Sequence, residues 1–502
     1  MKRLSYEVLK EQKYDGYLLE NAPEKVLQFG EGNFLRAFVD YFIDILNEKT
    51  GFCGKVAVVQ PRPKHAPVSM ADFLNEQEGL YTLYLRGFEN GKKVNDRRII
   101  SCVNRCMNAY SDYEAMISCA DNPELRYITS NTTEAGIIYD PSCQFTDKPA
   151  ASFPGKLTQF LYRRFEKYGK EQGKGVVILP CELIDDNGKA LKDCVLKYAG
   201  QWNLGEDFIQ WLNEENLFCS TLVDRIVTGY PKSEADMLNE ANGYEDKALN
   251  TGEIFGFWVI EGPEWLKDEL PFAKAGLPVL VTDNHKPYKQ RKVRILNGAH
   301  TSMVLGAYLA GQDIVRDCMA DDVICGFMNK AIYDEIIPTL TLPKDELESF
   351  AFSVTERFKN PFIDHALLSI SLNSTSKWKA RILPTVKDYL KNTGKLPKCL
   401  VTSFAFYVAF YHNGKTLTET GLAAIRPNGD SYPVSDDKTV LEFYQAHKND
   451  TLPALAYAVC ANQEFWGEDL TKIDGFVKAV SDTLEKTEQK GTYEVMKECL
   501  GA

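Results

Sequence analysis

The stretch KVRILNGAH (292–300) holds a lysine, an asparagine and a histidine at the spacing K-x4-N-x2-H. Hydride reduction of a ketone builds negative charge on the carbonyl oxygen, which then needs hydrogen-bond donors and a proton. Lys292 can give that proton if its pKa is lowered toward neutrality. Arg291, Arg294 and burial all push it that way. Asn297 can donate through its amide to the developing alkoxide, and His300 can orient the oxygen as a neutral donor. On an α-helix, Lys292 and His300 would lie about 80° apart and Asn297 about 60° from His300, so all three can share a face. Lys292 and His300 would be separated by about 12 Å along the axis. Each residue also has a plainer reading: a surface lysine, a helix kink at Asn297-Gly298, a satisfied core histidine. Their combination at the start of an apolar helical run favours a site.

Five cations (Lys286, Lys289, Arg291, Lys292 and Arg294) open that run in a chain of net charge −12. An acidic protein repels anions at long range, so an anion site must be assembled from local cations. The same balance argues against nucleic acid as a partner. Arg294 is a candidate for holding a substrate carboxylate, as are Arg225 in DRIVTGYP and Lys377 and Arg381 in NSTSKWKARILP. An arginine's planar fork matches a carboxylate best. Lys286 and Lys289 are expected to face water.

Such residues need a cofactor platform, and VLQFGEGNFLRAF supplies a candidate. KVLQF (25–29) reads as a strand and NFLRAFVDYFIDILNEK (33–49) as an amphipathic helix; KVAVVQ (55–60) reads as the next strand. Gly30 and Gly32 fall in the first turn of this βαβ unit. There one glycine makes the tight turn and the next lets the backbone approach a pyrophosphate beside Asn33, Phe34 and Leu35. Leu35 stands where the fingerprint has its third glycine, so helix–strand packing should be slightly looser. Gln60, at the end of the second strand, can bond a ribose 2′-hydroxyl. Arg62, Lys64 and His65 fit a 2′-phosphate or a solvated loop equally well; the reading leans to NAD. In ITSNTTEAGI (128–137), Asn131, Thr132 and Glu134 can lie under the cofactor or can form a capping box before a helix.

Further strands are expected at 126–131, 175–180, 256–261 and 278–283, with a hairpin at 81–88 and 97–103. After about residue 290 helical spacing takes over, with stripes such as Leu347, Phe350, Ala351, Val354 and Phe358. The expected organisation is an α/β Rossmann-type domain over 1–287 and a mostly helical substrate-binding and catalytic domain over 288–502. Thirteen scattered cysteines without a CxxC fit reduced thiols in a cytoplasmic protein. The start MKRLSYEVLKEQKYDG has no apolar signal core, and the apolar run 400–411 is too short to span a bilayer.

KVRILNGAH, together with FGEGNFLRAF and this α/β-then-helical layout, resembles the polyol-specific long-chain dehydrogenases, the mannitol dehydrogenase family. SNTTEAGI, LPCELIDDNG, TLVDRIVTGYP and FGFWVIEGP are similar to its uronate-reducing branch. The resemblance implies metal-independent, NAD-dependent interconversion of D-tagaturonate and D-altronate, a small anionic sugar-acid pair. Lys292 would be the general acid/base, Asn297 an oxyanion donor and His300 a substrate-orienting group, in a monomer or small homo-oligomer. Fructuronate/mannonate or a neutral polyol are alternative substrates, and a nucleotide-binding module without chemistry is the non-enzymatic alternative. The family's polyol members carry a second oxyanion asparagine in an SCDN motif. The matching segment here is PCEL (180–183), with Leu183 at that position, so Glu182 through water or Asn187 is left as a possible helper.

Overall fold

The computed structural model describes residues 1–501 except His65, Ala66, Asn90 and Glu134. The chain divides into two compact units: Met1–Arg86 with Lys93–His285, and Gly87–Lys92 with Lys286–Ala502.

Unit 1 is built on strands β1 (Glu24–Phe29), β2 (Lys55–Gln60), β3 (Tyr81–Glu89), β4 (Lys92–Ile100), β5 (Val103–Asn108), β6 (Tyr127–Ser130), β7 (Val177–Pro180) and β8 (Leu217–Phe218). Six of them form one sheet in the order β5-β2-β1-β6-β7-β8, with parallel pairing throughout. That order reverses beside β1, where open α/β sheets bind ligands at the carboxyl ends of the strands. The period of two divides each strand between two cores. Val56 and Val58 pack with Leu35, Phe38 and Phe42 on one face, while Ala57 and Val59 pack with Leu157 and Phe160 on the other. β2 is therefore buried at all six positions, as a doubly covered parallel strand should be.

The hairpin strands β3 and β4 belong to a separate four-stranded sheet, order β9-β10-β3-β4, where β9 is Val227–Gly229 and β10 is Asn250–Glu253. The expected strands at 256–261 and 278–283 appear as Phe257–Glu261 and Val279–Thr282, paired in parallel.

The expected single helix over 33–49 is in fact two, Asn33–Ala37 and Val39–Thr50, broken at Phe38 (φ −125°, ψ −75°). Two tertiary donors take the carbonyls a continuous helix would use. The Tyr81 hydroxyl donates to Arg36 O at 2.7 Å, and Arg225 Nη1 donates to Ala37 O at 2.6 Å.

Unit 2 is largely helical. Helix Gly298–Leu309 is buried at every position, so it runs through the core of this unit rather than along its surface. Helix Lys398–His412 contains the apolar run 400–411, and no described helix is long and apolar enough to cross a membrane. The Leu347–Phe358 stripe lies buried on helix Lys344–Phe358. The expectation that strands end near residue 290 needs correcting. Gly414–Thr418, Gly421–Ile425 and Ser431–Val434 form a three-stranded antiparallel sheet. Its first strand buries only Gly414, so no apolar alternation marks it in the sequence.

Candidate active site

The turn after β1 is shaped by two glycines with different tasks. Gly30 sits at φ +130°, and a Cβ there would meet Leu35 Cδ1 at 3.0 Å and Asn131 O at 3.1 Å. A Cβ on Gly32 would meet nothing within 4 Å. Gly30 is thus required by the fold, while Gly32 borders open space. Leu35, at the third fingerprint position, is buried and fills the gap beneath Gly30. Asn33 Oδ1 accepts from Arg36 Nη2 at 2.7 Å, and Phe34 stacks on Phe38. Gly32→Val is expected to leave the melting temperature within a degree or two while weakening dinucleotide affinity at least about tenfold, whereas Gly30→Ala lowers the melting temperature itself. Calorimetry and nucleotide titration of both variants check this.

Gln60 is buried at the end of β2, and its Oε1 has no hydrogen-bond partner. An orphaned acceptor there suits a ribose hydroxyl, which can donate, and not a phosphate, which cannot. Lys64 is turned to Asp72 at 2.7 Å; His65 lies outside the described residues. Beside Gln60, a cavity of about 360 Å³ is lined by Arg62, Thr132, Ser152, Phe153 and Lys156, among others. Lys156 escaped the sequence reading. Two of its ammonium protons go to Ala150 O (2.8 Å) and Ala151 O (2.7 Å), and burial lowers its pKa to about 8. Its signal was a lysine on the apolar stripe Phe153, Leu157, Phe160. These features fit a dinucleotide: open space over a glycine turn, an orphaned acceptor for a ribose, and a cavity for the adenosine end.

Among the described residues no helix begins after Asn131 and Thr132 until Phe153, which leaves a capping box there no helix to cap. Glu134 lies outside the described residues. Glu182 holds the turn after β6 from within. Its carboxylate accepts from the Ser130 hydroxyl (3.1 Å), Thr132 N (2.9 Å) and Thr132 Oγ1 (3.0 Å), and it is 2% exposed. Asn187 is equally committed, its amide donating to Pro180 O and Glu182 O while Oδ1 accepts from Gly188 N and Thr221 N. Leu183 is 62% exposed. Arg225 is buried, donating to the carbonyls of Ala37, Ile254 and Phe255 and lying over the Tyr41 ring at 4.9 Å. In unit 1 these three polar side chains hold backbone.

Behind the glycine turn, Asp40 is fully buried. One oxygen accepts from the Tyr81 hydroxyl at 3.0 Å, the other has no partner, and burial pushes its pKa up to about 7 against the opposing pull of Tyr81 and Arg36, with nearby Asp44 adding to the rise. A raised carboxyl pKa gives stability that is complete at low pH and lost as pH rises through about 7. From pH 6 to pH 8 the wild type should lose on the order of 1 kcal/mol relative to Asp40→Asn, read as the difference between their urea midpoints.

In unit 2, Lys292–Asn297 is a π-helical turn running into helix Gly298–Leu309. The α-helical angles expected for this segment therefore do not apply. A π-turn hydrogen-bonds across five residues, the interval from Lys292 to Asn297, and widens the helix where both side chains emerge; such turns recur at functional sites. Lys292 and Asn297 are half-buried.

His300 is buried, stacked on Phe358 (centroids 4.1 Å) and edge-on to His365 (5.3 Å), and its Nε2 has no partner. Burial, then the positive fields of His365, Arg381, Arg357 and Lys377, holds its pKa well below the usual value, so the ring is neutral. Helix Ser374–Arg381 packs against both the π-turn and helix Gly298–Leu309. From it Arg381 reaches Thr301 Oγ1 at 3.3 Å, and Lys377 donates to Ile370 O at 2.8 Å. Neither cation has a carboxylate ion-pair partner among the described residues. Burial lowers the pKa of both; Arg381 lowers that of Lys377 further, against the opposing field of the Asp436 carboxylate.

The two arginines nearest Lys292 are occupied otherwise. Arg291 pairs with Glu346 at 2.6 Å over the Phe350 ring, and Arg294 pairs with Asp388 at 2.6 Å. Lys286 is exposed and Lys289 half-buried. His365 was missed by the sequence reading, since nothing in NPFIDHALL marks that histidine as facing another.

The chain, with its parallel sheet of Rossmann order and a largely helical second unit, is a dehydrogenase that acts on a CH–OH group. Residues 24–274 match the mannitol dehydrogenase Rossmann domain and residues 284–488 the mannitol dehydrogenase C-terminal domain, and the chain belongs to this family. Altronate oxidoreductases of Escherichia coli (strain K12) and Shigella flexneri are 48% identical over 482 residues, covering 95% of this chain and 96% of theirs. Among solved structures, a D-sorbitol dehydrogenase in substrate-free form superposes with a TM-score of 0.83 (20% identity, 98% of this chain and 100% of that one). A Pseudomonas fluorescens mannitol 2-dehydrogenase, in ternary complex with NAD and D-mannitol, gives 0.67 (21% identity, 99% of each chain). At such identities the structures support the fold alone.

Proposed function

We propose that this protein interconverts D-tagaturonate and D-altronate with NAD(H). The name of its 48%-identical relatives supports the hexonate. The observation that carries the reading is the pair Lys377 and Arg381, two half-buried cations that form no ion pair among the described residues, set about a neutral buried His300. A neutral polyol would have no group to meet them, and a hexonate carboxylate does.

The dinucleotide would rest on the Gly30–Gly32 turn, with Asn33, Phe34 and Leu35 shaping the turn and Asn131 and Thr132 flanking it. Its ribose hydroxyl would meet Gln60 Oε1, and its adenosine end the Arg62–Lys156 cavity. When bound, it supplies or takes the hydride at the substrate carbon. Lys292 exchanges the proton at the substrate oxygen, as ammonium in reduction and as amine in oxidation. Asn297 donates its amide to that oxygen while charge develops there, and the neutral His300 ring orients the neighbouring hydroxyl through Nε2. Lys377 and Arg381 hold the carboxylate. Glu182 and Arg225 hold backbone within unit 1, and Arg294 is paired with Asp388 within unit 2, so none of the three is assigned to the carboxylate. With Asn187 committed to backbone and Leu183 apolar, oxyanion stabilisation rests on Lys292 and Asn297.

Incubating the protein with NADH and D-tagaturonate, and identifying the product, tests this. Stoichiometric formation of altronate, with NADPH at least about tenfold poorer, is expected; oxidation of NADPH in preference would overturn the Gln60 assignment.

A further inference from the structure

Two buried side chains, Gln28 and Arg36, hold the turn after β1 from beneath. The Gln28 amide Nε2 donates to Gly30 O at 3.2 Å, and Arg36 Nε donates to Glu31 O at 3.1 Å. The remaining arms of the guanidinium go to Ala248 O and to Asn33 Oδ1. Backbone and side-chain donors take the neighbouring carbonyls: Asn131 N bonds Phe29 O at 3.1 Å, Arg36 N bonds Gly32 O at 3.3 Å, and Asn250 Nδ2 bonds Asn33 O at 2.8 Å. Every carbonyl from Phe29 to Asn33 is thus claimed from within unit 1. The amides are not matched in this way. Among the described residues, Gly32 N and Asn33 N have no acceptor.

Neither side chain is one that packing alone would choose. Gln28 lies between Leu27 and Phe29 on a strand buried at its last four positions, and its Oε1 has no partner. The fully buried Arg36 guanidinium bonds neutral oxygens and lies over the Tyr81 ring at 5.1 Å, with no ion pair among the described residues. An orphaned amide oxygen and a buried guanidinium without a salt bridge both weigh against stability. What they secure is orientation. The peptide bonds of the turn are trans, so each C=O and the N–H that follows it point to opposite sides of the chain. With the Gly30 carbonyl held inward by Gln28, the Glu31 N–H turns outward. With the Glu31 carbonyl held by Arg36, the Gly32 N–H does the same. The outer side is open, since a Cβ on Gly32 would meet nothing within 4 Å.

We propose that Gln28 and Arg36 are positioning residues for the dinucleotide: they fix two successive peptides of the glycine turn so that the Glu31 and Gly32 amides donate to its pyrophosphate. This rests on the dinucleotide lying on the Gly30–Gly32 turn, and it names the groups that prepare the turn to receive it. Hydrogen bonds from backbone N–H to an oxyanion are about twice as strong as neutral ones, and donors already aimed need no ordering by the ligand. Without the two clamps, peptides flanked by Gly30 and Gly32 are free to rotate, and the ligand must order them. The arginine is specific to this task. A lysine at position 36 would keep the charge but has no planar fork to span Glu31 O, Asn33 Oδ1 and Ala248 O.

ADP-ribose carries the pyrophosphate and adenosine does not. Titration of the full-length protein with each, beside amide hydrogen exchange resolved to single residues, tests the proposal. In the wild type, ADP-ribose should slow exchange of the Glu31 and Gly32 amides at least about tenfold, and adenosine should leave both unchanged. Gln28→Met keeps the side-chain volume and removes the donor. It should weaken ADP-ribose binding at least about tenfold and adenosine binding by less than about twofold. Arg36→Lys should show the same split, its retained charge bringing no rescue. Wild-type ADP-ribose affinity in either variant, or equal losses for the two ligands, overturns the proposal. So does a wild type that binds ADP-ribose without protecting Glu31 and Gly32. A wild type that binds neither ligand instead overturns the dinucleotide reading, and the proposal with it. The wild-type exchange measurement stands even if a variant fails to fold.

Discussion

Lys292→Ala should lower turnover by about a thousandfold or more while leaving NADH affinity within about twofold. General acid–base catalysis by one placed side chain is worth about 10² to 10⁴ in rate. Removal of Lys292 also takes away one of only two donors assigned to the alkoxide, which puts the loss toward the upper end of that range. The dinucleotide groups lie in unit 1 and Lys292 lies in unit 2, so binding and chemistry should separate cleanly. Stopped-flow reduction under single-turnover conditions, with fluorescence titration of NADH, measures both. A variant that keeps its hydride-transfer rate would remove Lys292 from the mechanism. One that loses NADH binding would recast it as a cofactor ligand.

Arg381→Met should reduce kcat/KM for the uronate about a hundredfold and leave that for a neutral ketohexose nearly unchanged. Lys377→Met should act in the same direction. A charge pair at about 4 Å contributes up to about 4 kcal/mol at an effective dielectric near 20, and each 1.4 kcal/mol is about tenfold. Half-burial of these cations keeps the effect well above the 0–1 kcal/mol of an exposed pair, and loss of one of two cations forfeits part of it. The loss should fall mainly on KM, because the carboxylate is equally charged in ground and transition states. Steady-state kinetics on both substrates measure it. Equal losses on both would mean that Arg381 holds the structure around Thr301 and not the carboxylate.

The glycine turn and its strands were legible because a doubly covered parallel strand leaves a continuous apolar run, and a turn at φ +130° leaves a glycine. The break at Phe38 was not, because its cause lies in Tyr81 and Arg225, far along the chain. The spacing of Lys292, Asn297 and His300 was visible as a motif but not as geometry. Nothing in KVRILN distinguishes a five-residue hydrogen-bond register from a four-residue one. The basic run before Asn297 looked like the anion site itself, yet Arg294 is neutralised by Asp388, 94 residues on. The proposed carboxylate site rests instead on Lys377 and Arg381, two of the four cations the sequence offered as candidates, with nothing in NSTSKWKARILP to rank them above Arg294. Local pattern shows what a residue can do; its partner, which decides what it does, is set by tertiary packing.

The most direct measurement compares kcat/KM for D-tagaturonate, D-fructuronate and D-fructose, with NADH, on the wild-type protein at one pH. The account predicts tagaturonate first, fructuronate second, and fructose lower by two orders of magnitude or more. A clear preference for fructose would contradict it, because Lys377 and Arg381 would then have no anion to hold.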